Sequence, residues 1–392
     1  MDYLKRAVEI SPEVIANRRY LHRNPELGHN LDHTVGFVKQ KLEEIGYSPI
    51  DCGDHGIIAL AGGKRPGKCI LLRADMDALP MREESGLEFC SRTGSAAHTC
   101  GHDTHTAMLL GAAKIFKEIE DEIPGTIKLM FQPAEEECTG AKNMLTAGVL
   151  ENPHVDAAFA LHISATRPSG TISYSIGPRL SSIDTFEVTI FGRGGHGSRP
   201  DHTIDPIVIG SHIVTALETI NARELAPDAF GVLTFGSFHS GVKFNIIPET
   251  ASLSGSLRTY DNSVREFMKQ RLAEIVEGTA RTYRAEATVD FSMQCGAVIT
   301  DSDVTLTIVQ SIAKVIGSTN ITADPVPLAN SDDFGYITAE IPSTYMELGA
   351  CPVDYPPYPQ HSPKIRFNED ALPYGVASYV SSAVGWLKSQ QE

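Results

Sequence analysis

Residues 97–105 read Ala97-His98-Thr99-Cys100-Gly101-His102-Asp103-Thr104-His105, with three histidines, one cysteine and one aspartate in eight consecutive positions. Thiolate sulfur and neutral imidazole are ligands that borderline transition metals prefer. Cys100 and His102 are two positions apart, so an extended or loop backbone can direct both side chains to one side. Gly101 between them permits a tight backbone path. The stretch therefore predicts a metal site, although a short motif of this kind also occurs in ordinary buried cores.

A helix is predicted directly after these candidate ligands. It should begin near Asp103, because apolar residues then recur at helical spacing. These residues are Ala107, Leu110, Ala113 and Ile119. The candidate ligands would lie where a loop meets this helix, a position at which a rigid scaffold commonly holds functional side chains.

Acidic and imidazole side chains follow three predicted strands. The strands cover residues 69–72, 126–131 and 156–161, and their continuous apolar character indicates a sheet that is covered on both faces. They lead, in chain order, to Asp75 and Asp77, to Glu135, Glu136 and Glu137, and to His162. Open α/β sheets bind ligands at the carboxyl ends of their strands, so we expect these side chains to form one site. The alternative is helix capping for the two aspartates and a solvated loop for the three glutamates.

The sequence pattern changes after residue 180. The elements predicted over residues 186–291 follow the order strand, helix, strand, strand, helix, strand, which is typical of a ferredoxin-like unit. Ser263 and Glu266 predict a capping box at the start of the second of these helices. Patterning typical of an α/β domain then returns, and His361 in this last part is a candidate final ligand.

Composition excludes several classes of protein. The chain has 392 residues, which is long enough for two domains. Of these residues 42 % are hydrophobic and 21 % are charged, which is ordinary globular composition. Its net charge of −16 gives no general attraction to nucleic acid, and no apolar run reaches membrane-spanning length, so we expect neither as a partner. The N-terminus lacks the apolar region of a signal peptide. The seven cysteines show no paired framework, which favours a reducing, cytoplasmic compartment.

Eight stretches, taken together and in order, resemble one family. They are Arg18–Gly28, Leu72–Pro80, His98–Asp103, Phe131–Glu136, Leu161–His162, Gly194–Gly197, Asn245–Pro248 and His361–Pro363. The chain resembles the metal-dependent amidohydrolase branch of the aminoacylase and carboxypeptidase superfamily. That branch includes hippurate hydrolase, N-acyl-L-amino-acid amidohydrolases and plant indole-acetyl-amino-acid hydrolases. The resemblance spans nearly the whole chain.

The resemblance implies a fold of two parts. An α/β catalytic domain, with a mixed sheet flanked by helices as in zinc exopeptidases, would comprise residues 1–181 and 296–392. A ferredoxin-like lid domain would be inserted at residues 182–295, where the order of strands and helices also predicts such a unit. His196 and Asn245 match lid residues that reach the substrate in related enzymes. In dimeric members they act across the subunit interface, so the resemblance also suggests a homodimer through the lid domain.

The resemblance further implies a dinuclear metal centre with Glu135 as general base. The implied ligands are Cys100, His102, Glu136, His162 and His361. The residues after the glutamate pair depart from the family pattern, which leaves Glu137 as an alternative to Glu136, although the register from Pro133 favours Glu136. Two divalent ions are expected, zinc or manganese, with cobalt and nickel as further candidates. Asp75 or Asp77 would orient a ligand histidine.

The expected activity is hydrolysis of the amide bond of N-acyl amino acids, which releases an amino acid and a carboxylic acid. Arg258 in the lid is a candidate for binding a substrate carboxylate, with a structural salt bridge as the alternative. One rival function is a carboxypeptidase or dipeptidase, and another is a deacetylase of the N-acetyl-diaminopimelate type. Rivals from other classes are a non-catalytic binding module and an enzyme that uses Cys100 as a nucleophile without a metal.

Overall fold

The computed structural model describes residues 1–391. Its α-helices are α1 (Tyr3–Arg23), α2 (Asp32–Ile45), α3 (His102–Glu118), α4 (Gly140–Thr146), α5 (Pro206–Thr219), α6 (Asn262–Thr282), α7 (Ser302–Ile316), α8 (Gly335–Glu340) and α9 (Leu372–Ser389). Among the helices of this part of the chain, none combines the length and the apolar character that a membrane crossing requires.

The strands complete the description of the fold. They are β1 (Ile50–Asp51), β2 (Ile57–Gly62), β3 (Cys69–Asp75), β4 (Thr126–Gln132), β5 (Ala157–Ser164), β6 (Ile172–Tyr174), β7 (Gly177–Leu180), β8 (Ile183–Phe191), β9 (Gly195–His196), β10 (Gly231–Ser240), β11 (Ile246–Ile247), β12 (Thr250–Thr259), β13 (Glu286–Cys295), β14 (Val298–Thr300), β15 (Ile321–Ala323) and β16 (Ser343–Gly349).

The described chain divides into two compact units. The first unit comprises Met1–Arg179, Ile299–Val326 and the described residues from Asp333 onward, and the second comprises Leu180–Val298 and Pro327–Asp332. The domain boundaries given above for the catalytic and lid domains stay a prediction.

The first unit is built on a mixed eight-stranded sheet in the order β1-β2-β4-β3-β5-β16-β6-β15. The neighbours β4, β3, β5 and β16 are parallel, whereas β1 and β2 run antiparallel at one side. Every residue of β3, β5 and β16 is buried, and for β3 and β5 the continuous apolar pattern predicts this burial. The carboxyl ends of the parallel strands therefore meet at one edge of the sheet, where the candidate site lies.

Helices cover this sheet and complete the apolar core of the first unit. α3 and α9 contact β3, α1 packs on both helices, and α7 packs on α9. Leu72 of β3, Leu109 and Phe116 of α3, and Val380 of α9 belong to one buried cluster. The predicted fold class, an α/β protein with a mixed sheet flanked by helices, is confirmed.

The second unit contains an antiparallel four-stranded sheet in the order β10-β12-β8-β13. Its chain order is β8, α5, β10, β12, α6, β13, which is the predicted ferredoxin-like arrangement. Burial alternates along β8, with Phe186, Val188 and Ile190 inward. These side chains share a core with Leu253 and with Leu272 of α6.

Two local predictions were wrong. The sequence predicts the first helix over about residues 11–22, but this helix begins at Tyr3, where the Asp2 side chain accepts a hydrogen bond from the Lys5 backbone N–H. Pro12 lies inside this helix, and the carbonyl that it leaves without a helical donor belongs to Val8, which is exposed to water.

The second error concerns the start of α6. Asp261, rather than the predicted pair of Ser263 and Glu266, caps this helix. Its carboxylate accepts hydrogen bonds from the backbone N–H groups of Ser263 and Val264. The Asp261 carboxylate therefore caps the helix two residues before the predicted serine cap.

Candidate metal centre

The loop before α3 and the ends of β4 and β5 bring most of the predicted ligands together. The donor atoms of Cys100, His102 and His162 lie within 4.8 Å of one another, and so do those of Cys100, Glu136 and His361. Cys100 is common to both groups. A third group joins His102 to Glu135 and Glu136. These six side chains from distant parts of the sequence form a donor cluster of three overlapping sets, each large enough for one ion.

The separations between donor atoms fit a shared cation. Cys100 Sγ lies 3.4 Å from His162 Nε2, and His361 Nε2 lies 3.4 Å from Glu136 Oε2. His102 Nε2 is 3.7 Å from Glu135 Oε2 and 4.0 Å from Glu136 Oε1. Two ligands of one tetrahedral zinc ion are about 3.3–3.6 Å apart, given the usual zinc–ligand bond lengths. The two shorter separations match this spacing, and the other two are slightly wider.

The ring nitrogens of the two buried candidate histidines have separate roles. His102 Nδ1 donates to the backbone oxygen of Asp77 (2.9 Å), and His162 Nδ1 donates to the backbone oxygen of Ile163 (2.7 Å). Each bond leaves Nε2 directed at the other candidate ligands, which is how proteins commonly orient metal-binding histidines. Within residues 1–391, His102 Nε2 and Glu136 Oε1 are buried without a hydrogen-bond partner. A bound cation would satisfy both atoms.

Negative charge dominates the cluster. Burial alone would lower the pKa of His102, but Asp75 and Asp77 outweigh burial and raise this pKa to about 10. Burial opposes ionisation of Glu136 as well, yet His361 and His102 beside it lower the pKa of this carboxyl. Ionised carboxylates are costly to bury unless a positive charge compensates them. The electrostatics therefore favour a cation at this position.

Asp75, the last residue of β3, and Asp77 just after it have different partners. The Asp77 carboxylate accepts hydrogen bonds from the backbone N–H groups of Glu135 (3.0 Å) and Glu136 (3.1 Å), so it holds the loop that carries both glutamates. Asp75 Oδ1 instead accepts from His105 Nδ1 (2.5 Å). Its second oxygen lies 3.6 Å from His102 Nε2.

Glu137 points away from the cluster. Its carboxylate lies against Gly28, where its oxygen is 2.1 Å from the position that a Cβ would occupy. The donor groups formed by the described residues contain Glu136 and not Glu137. Of the two alternatives that the sequence left open, the geometry thus brings Glu136 to the other candidate ligands.

Sequence reasoning missed a buried network of ion pairs and hydrogen bonds next to the cluster. Arg73, buried within β3, contacts Asp75 Oδ2 (2.7 Å) and Asp333 Oδ1 (3.2 Å). Asp333 also accepts from Gln132 Nε2 (2.6 Å). An arginine inside an otherwise apolar strand is a signal that could have revealed this network, since a buried guanidinium requires acidic partners.

The second unit brings His196 and Asn245 together. His196 of β9 pairs with Ile246 of β11, and the Gly197 N–H donates to the Asn245 backbone oxygen (2.9 Å). His196 Nδ1 accepts from the Ser198 N–H (3.1 Å), and Ser198 Oγ lies 2.8 Å from it. Because a backbone N–H can only donate, the hydrogen of a neutral His196 is on Nε2. The imidazole is exposed.

Arg258 is not part of this pair. It lies on β12, and its guanidinium donates from Nη1 to the backbone oxygen of Ala329 (3.0 Å). Among residues 1–391 this guanidinium bonds a backbone oxygen and has no acidic partner, and its role toward a substrate stays a prediction.

The chain thus combines an α/β unit, which carries a candidate metal site at its strand ends, with a ferredoxin-like unit. Comparison with known proteins gives the family. Residues 71–384 match the model of peptidase family M20/M25/M40, and the chain belongs to this family. It is therefore an enzyme, a hydrolase, as the sequence predicts.

Two relatives carry the names of different hydrolases. The chain is 37 % identical over 387 residues to thermostable carboxypeptidase 2 of Saccharolobus solfataricus, with 96 % of each chain covered. It is 36 % identical over 391 residues to IAA-amino acid hydrolase ILR1-like 2 of Arabidopsis thaliana, covering 97 % of this chain and 87 % of that protein.

A solved structure shares the fold. The YXEP protein of Bacillus subtilis, described as a dinuclear metal binding peptidase from the M20 family, superposes with a TM-score of 0.81 at 29 % sequence identity. The match covers 97 % of this chain and 99 % of that one.

Proposed function

We propose that this protein hydrolyses the amide bond of N-acyl amino acids and that two divalent metal ions support the reaction. The observation that carries the proposal is the pair of overlapping donor groups that share Cys100, with Glu135 beside them. The proposed ligands are Cys100, His102, Glu136, His162 and His361. Zinc or manganese suits this mixture of thiolate, imidazole and carboxylate, and cobalt or nickel would also be tolerated.

When bound, such ions would polarise the scissile carbonyl and lower the pKa of a coordinated water. Glu135 is the proposed general base. Its carboxylate would accept a proton from the attacking water and return that proton to the leaving nitrogen, so one group serves both halves of the hydrolysis. Asp77 supports this role, because it binds the backbone N–H of Glu135 and so fixes the loop.

His196 is the proposed donor to the developing oxyanion. A neutral His196 carries its hydrogen on Nε2, which is the atom that such a donor needs. Asn245, paired with it across β9 and β11, is the proposed partner of a substrate polar group. Binding of the substrate carboxylate by Arg258 stays a prediction. Asp75 is proposed to position other side chains of the site.

We further propose a homodimer formed through the second unit. Its loop between β10 and β11 exposes Val242 (97 %) and Phe244 (98 %), and Ile246 is half exposed. Exposed apolar groups concentrated in one segment are typical of protein interfaces. Sedimentation of wild type and Phe244→Ser would test this, since the variant should shift towards monomer. The cytoplasmic location and the absence of nucleic-acid and membrane partners stay predictions from composition.

A carboxypeptidase or dipeptidase is the second candidate. A relative at 37 % identity is named a carboxypeptidase, and its coverage of this chain is nearly complete. The scissile bond is the same in both reactions, so the donor cluster serves either. A deacetylase of the N-acetyl-diaminopimelate type remains a narrower version of the first candidate.

A substrate panel decides between these functions. N-acetyl, N-benzoyl and longer N-acyl amino acids are incubated beside simple dipeptides with chelator-stripped protein, with and without Mn²⁺ or Zn²⁺. We expect metal-restored release of free amine, strongest with an N-acyl amino acid. Preference for the dipeptides would favour the second candidate. Release that ignores the chelator would overturn the metal mechanism.

A further inference from the structure

The peptide group of Ile163 connects several segments that carry proposed ligands. Its carbonyl accepts hydrogen bonds from His162 Nδ1 (2.7 Å) and from Gln360 Nε2 (2.8 Å). Its N–H donates to His105 Nε2 (2.8 Å). His162 precedes Ile163 in β5, Gln360 precedes His361, and His105 lies one turn after His102 in α3. One peptide group thus links three elements that each carry a proposed ligand.

His105 uses both ring nitrogens for support. Since the Ile163 N–H can only donate, His105 Nε2 must supply the lone pair, and Nδ1 then carries the hydrogen that Asp75 accepts (2.5 Å). Burial lowers the pKa of His105 to about 4, consistent with a neutral ring. Although His105 lies near His102, neither of its nitrogens is left for a metal. Its place in the structure is to hold α3 against β5.

Gln360 likewise connects the segment that carries His361 to β5. His361 lies on a loop, has a backbone φ of +63° and leaves about half of its side chain exposed (52 %). Its own N–H donates to the Thr99 backbone oxygen (3.1 Å). The Gln360 amide adds a side-chain bond from this loop to β5. Exposed loop ligands lose more rotational freedom on binding than buried ones, so such an anchor bears directly on affinity.

We propose that Gln360 is a positioning residue that sets His361 in register with His162 through the Ile163 carbonyl. The inference rests on the proposed function, because it takes both histidines to be metal ligands. Supporting partners of metal ligands typically change metal affinity by about 10- to 100-fold when they are removed. We expect a loss in this range for the ion that His361 holds, with the other ion little affected.

The test compares three variants with wild type by calorimetric titration of metal-stripped protein with Mn²⁺ and Zn²⁺. Gln360→Met keeps the size of the side chain and removes the donor. Gln360→Glu places a carboxylate against the carbonyl oxygen and should weaken binding further. Val353→Ala, on the same loop and 82 % exposed, is the matched control. Thermal unfolding of each metal-free protein supplies the second readout.

The expected result is two ions bound by wild type and by Val353→Ala. For the Gln360 variants we expect a selective loss of affinity for one ion, with an unchanged metal-free Tm. Unchanged affinity for both ions in the Gln360 variants would overturn the positioning role and leave the proposed function intact. A fall in metal-free Tm together with equal weakening of both ions would assign Gln360 a structural role instead. Failure of wild type to bind metal would overturn the proposed function, and this inference with it.

Discussion

Two regions of the molecule orient an imidazole in different ways. One is the donor cluster of the first unit, and the other is the His196–Asn245 pair of the second unit. His102 and His162 are buried, and a backbone carbonyl holds the Nδ1 atom of each. His196 is exposed, and it is held by Ser198 and by the short pairing of β9 with β11. Buried side chains with several partners are preorganised, whereas exposed ones gain their final geometry when a ligand or partner arrives. We therefore expect metal binding to depend on the first region and turnover to depend on both.

The largest expected effect separates chemistry from metal binding within the first region. Glu135→Gln keeps the shape of the side chain and removes the proton acceptor, so turnover should fall by about 10²–10⁴-fold. Metal content, measured by atomic emission, should remain at the wild-type level. Glu137→Gln is the matched control, because this neighbouring carboxylate lies against Gly28. Near-normal turnover in Glu135→Gln would remove this residue from the role of base.

The next effect tests the second region. His196→Ala should lower kcat by about 10²–10³-fold, the usual range for one lost oxyanion donor. Metal content and affinity should stay unchanged, because the proposed ligands all belong to the first unit. His212→Ala, an exposed histidine of α5, serves as control. If the His196 variant also lost metal, the contrast between the two regions would fail.

A smaller effect concerns a buried hydrogen-bond network that joins Glu83 and His22 to Asp103 of α3. Glu83 lies 3.1 Å from His22 Nε2 and accepts from the Ser91 N–H (2.6 Å), while His22 Nδ1 lies 2.8 Å from Asp103. Burial opposes the charged form of Glu83, but His22 and the hydrogen bonds prevail and lower its pKa to about 2. The stabilisation is therefore present above the ordinary glutamate pKa and is lost as pH falls through the folded value.

Glu83→Gln should therefore reduce the free energy of unfolding at pH 7 by on the order of 3 kcal/mol, at about 1.36 kcal/mol per pKa unit. The difference from wild type should shrink as pH falls from about 4.5 towards 2, since wild type then loses the same charge. Urea unfolding of the metal-free protein at pH 7, 5 and 3 measures this. A difference that is constant with pH would show that the carboxylate charge contributes nothing.

The smallest effect concerns the orientation of His196. Ser198→Ala removes the Oγ contact with Nδ1 and leaves the backbone donor in place. A hydrogen bond of about 1 kcal/mol corresponds to a roughly fivefold lower kcat, with KM little changed. Ser198→Thr should restore the rate. No recovery in the threonine variant would indicate that the hydroxyl does not position the imidazole.

Much of the fold could be predicted from the sequence, because its signals are local. The apolar runs at β3, β4 and β5 and the order of elements in the second unit follow from hydrophobic patterning. The sheet order could not be predicted, since several pairings of buried strands satisfy the same pattern. The predictions for the start of α1 and the cap of α6 were wrong because in each case an aspartate earlier in the chain caps the helix.

For the candidate site, the sequence by itself determined the chemistry of the donors: a thiolate, imidazoles and carboxylates at strand ends and at the start of a helix. Only the tertiary structure decided that both ring nitrogens of His105 are used in hydrogen bonds, that Glu136 and not Glu137 faces the cluster, and that Ile163 joins three elements. Every residue except proline carries the same backbone donor and acceptor, so a sequence cannot show which peptide group will be used. Contacts between residues 105, 163 and 360 arise from packing of distant segments, and local spacing carries no information about them.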